Sequence, residues 1–240
     1  MTTMKSTRHY VRQFRVRLRL NSLSENDKPV KSYQTTTIDW TKKIDTVLVL
    51  LWVRSQVAQQ QHTTHLSDSP NKITPDGNRQ FFEDLGLSIE DSLIFAIAWK
   101  MHTSTMGYIT KDEWMLGMKE LETDTMEKLR AKRLDFEKVF DDPDQFKEMY
   151  KYTFFYAKNK DQKCMEIETA LVLWETLLGE KYPIVNDFVT FLQEKKPVRV
   201  INRDQWQSFL EFASTDISEY DESSAWPVLF DEFVEWRAEK

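Results

Sequence analysis

Carboxylates crowd one end of this chain. Between Asp204 and Trp236 stand nine of them (Asp204, Glu211, Asp216, Glu219, Asp221, Glu222, Asp231, Glu232 and Glu235), with no Lys or Arg. Trp206, Trp226 and Trp236 are set among them. The stretch has no His or Cys to do chemistry, so its acids and aromatics point to the holding of a basic protein partner. Acids attract and orient such a partner, and aromatic anchors supply the burial. The competing reading is a solvated acidic face over three core tryptophans, and charge alone does not separate the two.

Nucleophilic catalysis needs a base beside the nucleophile. The four histidines are His9, His62, His65 and His102, and the single cysteine is Cys164. Three of the histidines fall in the polar N-terminal third, and His102 stands at the end of an apolar segment with no Ser or Cys signature nearby. Cys164 follows Lys160-Asp161-Gln162-Lys163, again without a neighbouring His. No phosphate-binding loop, dinucleotide fingerprint or nucleophile elbow occurs. Paired carboxylates recur too often to mark an acid–base site. A catalytic residue is therefore not expected.

One repeat bears on metal binding. Tyr108-Ile109-Thr110-Lys111-Asp112-Glu113-Trp114 matches Val200-Ile201-Asn202-Arg203-Asp204-Gln205-Trp206: an apolar pair, an N-cap, a basic residue, Asp, an acid or amide, then Trp. The second half of an EF-hand has this layout. Aligned to that loop, His102 falls at position 1, Gly107 at 6, Ile109 at 8 and Glu113 at 12. Positions 1, 3 and 5, which need carboxylates, hold His102, Ser104 and Met106. Glu113 is better explained as the capping-box partner of Thr110. The expectation is two EF-hand-like helical halves without calcium; a calcium-responsive EF-hand adaptor is the alternative. No metal or cofactor is expected.

These residues need elements to position them. The chain has 240 residues, 40% hydrophobic, with 8 Trp and 15 Phe, enough for a real core. Five Gly and seven Pro are few for an all-β protein. One cysteine excludes a disulfide framework and fits a reducing compartment, so nucleus and/or cytoplasm is the expected location. Residues 1–20 hold six Lys/Arg and no acid, leaving a net −12 on the other 220. Their arginines are interleaved with apolar residues rather than clustered, and residues 1–73 are read as a variable arm and linker. One helix is expected near 44–57, where the apolar run Val47–Val53 is far short of the roughly 20 residues of a membrane span.

From Thr74 the punctuation is helical. Thr74-Pro75 opens a helix that Gly86 stops. Ser88-Ile89-Glu90-Asp91 resembles a capping box and opens an apolar helix through Met101. Thr110 and Asn202 head capping boxes, Asp142-Pro143 starts a helix through Tyr156, and another runs from Glu166 to Leu178. Pro183 and Pro197 bracket the next, and Ser224-Ala225-Trp226-Pro227 leads into the last. The expected fold is all-α, with about nine helices and strands of two or three residues. Leu93 to Met101 is apolar almost all round, which suits a helix buried on most sides or one that lines a pocket.

Certain blocks are more specific. They are Ala98-Trp99-Lys100, Tyr108 to Trp114 with Gly117-Met118, Glu127-Lys128-Leu129, Phe146-Lys147, Ala157-Lys158 and Asp204-Gln205-Trp206. Tyr220-Asp221-Glu222 follows, then the unbroken run from Ala225-Trp226-Pro227-Val228-Leu229 to Trp236. By these blocks, residues 74–240 resemble the PONY domain of the defective-in-cullin-neddylation (DCN-like) family, most of all its animal members with short basic N-termini. The resemblance implies a non-catalytic, scaffold-type co-ligase that promotes transfer of a Nedd-type modifier onto cullins. It implies two partners, the cullin C-terminal winged-helix region and the acetylated N-terminus of the conjugating enzyme. No nucleic acid or membrane partner is implied, and a monomer is expected. The cullin face would fall on Asp204, Ala225 and Asp231, with both acids exposed. The acetyl-peptide pocket would fall on Ile94, Ile97, Ala98, Met101, Met106, Gly107, Ile109, Tyr156 and Leu173. Asn78 departs from the family, which usually has an aliphatic residue at that pocket rim.

Overall fold

The computed structural model describes residues 72–221 and 224–239. The basic arm, most of the linker and the expected helix near 44–57 lie outside the described residues. What is described is all-α: ten helices, one 3-10 turn and four strands of two residues each.

In the first half, β1 (Lys72–Ile73) leads into α1 (Pro75–Asp84), with Thr74 extended at the N-cap and Pro at the first helical turn. The second helix, α2 (Leu93–Lys100), starts later than expected. Ser88 to Asp91 is a turn, Glu90 N–H donating to Ser88 Oγ, and the Asp91 carboxylate takes up the Leu93 N–H at 2.9 Å. A nearer side-chain acceptor thus displaces the capping box that the spacing suggests. Then come β2 (Ile109–Thr110), α3 (Lys111–Glu120), α4 (Met126–Ala131) and α5 (Arg133–Asp141). Asp142 accepts from the N–H groups of Asp144 and Gln145, both at 3.0 Å, and opens α6 (Pro143–Ala157).

The second half repeats the scheme with β3 (Met165–Glu166), α7 (Ile167–Leu178), α8 (Ile184–Lys195), β4 (Val200–Ile201) and α9 (Arg203–Ser214). A 3-10 turn (Ile217–Glu219) and α10 (Val228–Ala238) close it. Lys196 ends α8 in the left-handed region, φ 51°. Each half carries one antiparallel pair: Ile73 faces Ile109, and Met165 faces Ile201. The two copies of the repeat are β2–α3 and β4–α9, and both capping boxes have both arms made. Here local sequence and tertiary structure agree.

Helix α6 joins the halves, packing on α2 and α5 on one side and on α9 on the other. Its Tyr150 is fully buried and stacks on Trp206, ring centroids 4.5 Å apart at 10°, while Trp206 stacks in turn on Trp174. The polar ends are matched. Trp174 Nε1 donates to the Tyr150 hydroxyl at 2.8 Å, and that hydroxyl donates to the Trp206 carbonyl at 2.9 Å. Trp206 Nε1 donates to the Tyr150 carbonyl at 2.9 Å. A Tyr–Trp–Trp stack with every polar atom paired can be buried without leaving an unmet donor. Around it Phe188, Phe209, Phe212, Phe230 and Phe233 form a continuous aromatic core beneath α10.

Candidate functional site

The acidic face is built from the core outward. Trp206 anchors the first turn of α9, which fixes Asp204, two residues earlier, on the outside; Asp204 is exposed. Ala225 is also exposed and precedes Trp226, which is half-buried against Phe212, Phe230 and Tyr220. Val228, first in α10, is 69% exposed, the most exposed large apolar side chain among the described residues. Glu211, Asp216, Asp221, Glu232 and Glu235 are exposed as well. The Ser218 backbone N–H holds the Asp216 carboxyl below its ordinary value.

Asp231 departs from the sequence expectation. It is half-buried rather than exposed, and its Oδ1 accepts a hydrogen bond from the Tyr220 hydroxyl. That bond ties the turn before α10 to the helix itself, so this carboxylate shapes the face as well as charging it. The tryptophans differ from anchors too. Trp206 and Trp236 are core, and Trp226 alone reaches towards the surface. The aromatics hold the acids in place from below.

The second candidate region surrounds the turn after α2. Gly107 has φ +84°, a conformation that other residues enter only with strain, and a Cβ there would sit 3.6 Å from the Pro75 ring. The Met106 N–H donates to the Tyr156 carbonyl at 2.9 Å, pinning this turn to α6. Ala98 is buried and its carbonyl accepts from Thr103. Met101 is buried against Gly117 of α3, where an added Cβ would lie 2.8 Å from Met101 Cα. Ile109 is buried in β2 and Ile94 in the first turn of α2. Ile97 lines a separate small cavity with Leu85, Leu87, Leu129, Phe136, Arg130 and Arg133. Leu173 is buried in α7 of the second half.

Sequence reasoning named Asn78 as a departure but missed Thr103 and Tyr152, which complete a polar cluster under this turn. Tyr152 and Tyr156 stack one turn apart on α6, 5.3 Å between centroids. That i, i+4 spacing was the available signal. The Tyr152 hydroxyl donates to the Thr103 carbonyl at 2.7 Å. Burial pushes the Tyr156 phenol up to about 12, against hydrogen bonds with Thr103, the Gly107 N–H and the Asn78 side chain. Burial raises Tyr152 as well.

Glu113 closes its own loop. Its Oε1 accepts from the Ser104 N–H at 2.8 Å, and its Oε2 accepts from the N–H and hydroxyl of Thr110 at 2.7 and 2.9 Å. Burial works against its ionisation, yet these hydrogen bonds win and leave the carboxyl below its usual value. In a calcium-binding loop the last glutamate spends both oxygens on the ion; here both serve backbone and hydroxyl donors. His102, the one histidine among the described residues, lies 2.6 Å from Glu120 on the exposed surface. Cys164 is a half-buried free thiol. Neither is part of a nucleophile–base pair among the described hydrogen bonds.

The model of the family described as cullin binding matches residues 128–236, which contain α9 and all but the end of α10. DCN1-like protein 4 of Drosophila melanogaster is 40% identical over 180 residues, covering 74% of this chain and 71% of that protein. DCN1-like protein 5 of Homo sapiens is 42% identical over 168 residues, 69% of this chain and 70% of that protein. DCN1-like protein 4 of Homo sapiens is 44% identical over 172 residues, 70% and 58%.

Proposed function

The chain belongs to the DCN1-like, cullin-binding family, and from that premise we propose that it acts in cullin neddylation as a non-catalytic co-ligase. It holds a cullin C-terminal region on the face of Asp204, Ala225 and Asp231, and the acetylated N-terminus of a Nedd-type conjugating enzyme in the groove around Met106, Gly107 and Tyr156. The work done is proximity and orientation: a thioester-carrying enzyme held near its target lysine reacts as if at high effective concentration. No covalent step passes through the protein.

The observation that carries this reading is the row of exposed carboxylates on α9, on α10 and between them, within the segment that the cullin-binding family matches. Exposed carboxylates around a small exposed Ala225 and an exposed Val228 suit a basic partner that approaches closely. The test is titration of a cullin C-terminal fragment with wild-type protein and Asp204→Lys. Binding to the wild type alone supports the reading, and equal binding to both overturns it. A calcium-responsive adaptor is disfavoured by the occupation of both Glu113 oxygens within the loop; equilibrium dialysis showing one ion bound at micromolar calcium would revive it.

A further inference from the structure

Tyr220 bears on three parts of the acidic face at once. Its hydroxyl donates to Asp231 Oδ1. Its ring stands edge-on to Phe212, 5.7 Å between centroids at 87°, and Phe212 lies on α9, the helix whose first turn carries Asp204. It also stacks on Trp226, 6.5 Å away at 22°, and Trp226 directly follows Ala225. The turn around Ala225 is closed by the Ser224 N–H donating to the Asp221 carbonyl at 3.0 Å and the Trp226 N–H donating to the Ser224 carbonyl at 2.8 Å. Asp231 itself is half-buried, and no Lys, Arg or His among the described residues forms an ion pair with it. Its hydrogen bond comes from a phenol, which adds no positive charge. A partly buried carboxylate without a counter-charge does little for stability and is suited to a cation brought by a partner.

We propose that Tyr220 is a positioning residue for cullin binding: its hydroxyl fixes the Asp231 carboxylate through Oδ1 and leaves Oδ2 to accept from a Lys or Arg of the cullin. This rests on the reading of the acidic face given under Proposed function. Tyr220 acts on the partner only through Asp231. A carboxylate already held in one orientation need not be ordered when the cation arrives, so less of the interaction is spent on fixing a side chain. A Lys or Arg in place of the phenol would order the acid and cancel its charge. A Phe would keep the ring contacts with Phe212 and Trp226 and leave the carboxylate free to turn. The phenol does the one without the other: it orders the acid and preserves its charge.

The test is a kinetic binding measurement of a cullin C-terminal fragment on the immobilised full chain. It uses wild type, Asp204→Lys, Tyr220→Phe, Asp231→Ala and the double variant Tyr220→Phe/Asp231→Ala. Low ionic strength keeps the weakened complexes measurable, and thermal melts set the assay temperature below the transition of every variant. Tyr220→Phe is expected to dissociate about tenfold faster than wild type, the scale of one lost hydrogen bond. Its association rate should stay within about twofold of wild type, because the net charge that steers the encounter is unchanged. A misfolded fraction would instead lower the binding amplitude and leave the dissociation rate alone. In the Asp231→Ala background, Tyr220→Phe should change the dissociation rate by less than about twofold, since the group it acts through is gone. An effect of Tyr220→Phe that persists undiminished without the Asp231 carboxylate overturns the inference. So does a Tyr220→Phe protein that dissociates like wild type; if Asp204→Lys has lost binding in the same series, the reading of the face stands. If the wild type does not bind the fragment, that reading fails and the inference with it.

Discussion

The two aspartates of the proposed cullin face differ in their surroundings. Asp204 sits on the first turn of α9 with its anchor, Trp206, buried beneath it. Reversing its charge should remove cullin binding and change stability by about 0.5 kcal/mol or less, the usual range for surface sites; a urea titration beside the binding assay checks both. Asp231 receives the Tyr220 hydroxyl. Asp231→Lys should therefore lose binding and also destabilise the fold by about 1–2 kcal/mol, as expected for loss of a charge-assisted hydrogen bond. Equal melting of the two variants would contradict this division. Glu113 supplies a pH signature. Its folded carboxyl titrates below the ordinary glutamate value, so its contribution to stability is present above that ordinary value and is lost as pH falls through the folded one. Glu113→Gln should melt below wild type near neutral pH, with a capping loss of about 1 kcal/mol, and the gap should close in acid. A gap that persists at low pH would show that the loop depends on side-chain shape rather than on charge.

At the scale of elements, the capped helices were the most legible in the sequence. Thr110, Asp142 and Asn202 are local signals with local partners, and each bond they predict is made. The pair α4 and α5 leaves little trace in the sequence. Thr125 does cap α4, accepting from the Lys128 N–H, but a break at Lys132 and an exposed Leu134 blur the apolar period across the segment. The start of α2 differs from the expected one because Asp91 competes with Ser88 for the helix entry, and spacing does not rank two acceptors. The candidate groove was legible only in outline. Thr103 and Tyr152 meet through a contact between the turn after α2 and α6, 49 residues apart in the chain. The crossing of α3 with the end of α2 depends on Gly117, where an added Cβ would lie 2.8 Å from Met101 Cα. Gly117→Ala should cost about 1–3 kcal/mol through overpacking and should weaken peptide binding by shifting the Met101–Gly107 turn. A well-folded, full-affinity Gly117→Ala protein would mean that this crossing does not position the groove.

Across the whole molecule, α6 makes one body of the two halves. It carries Tyr156, whose carbonyl pins the Met106–Gly107 turn, and Tyr150 in the stack that seats Trp206, two residues after Asp204. Both candidate surfaces are thus referenced to one helix, as the proposed co-ligase role requires. Net charge places the partner's sign: the acids of residues 204–236 attract a basic surface, and their reach in physiological salt is about 8 Å. The most direct measurement is the initial rate at which a purified conjugating enzyme, charged with its Nedd-type modifier, modifies a cullin C-terminal fragment, with and without this protein. Wild type should raise that rate and Asp204→Lys should not, while both fold equally well. Stimulation undiminished by Asp204→Lys, or no stimulation by the wild type, would contradict the account.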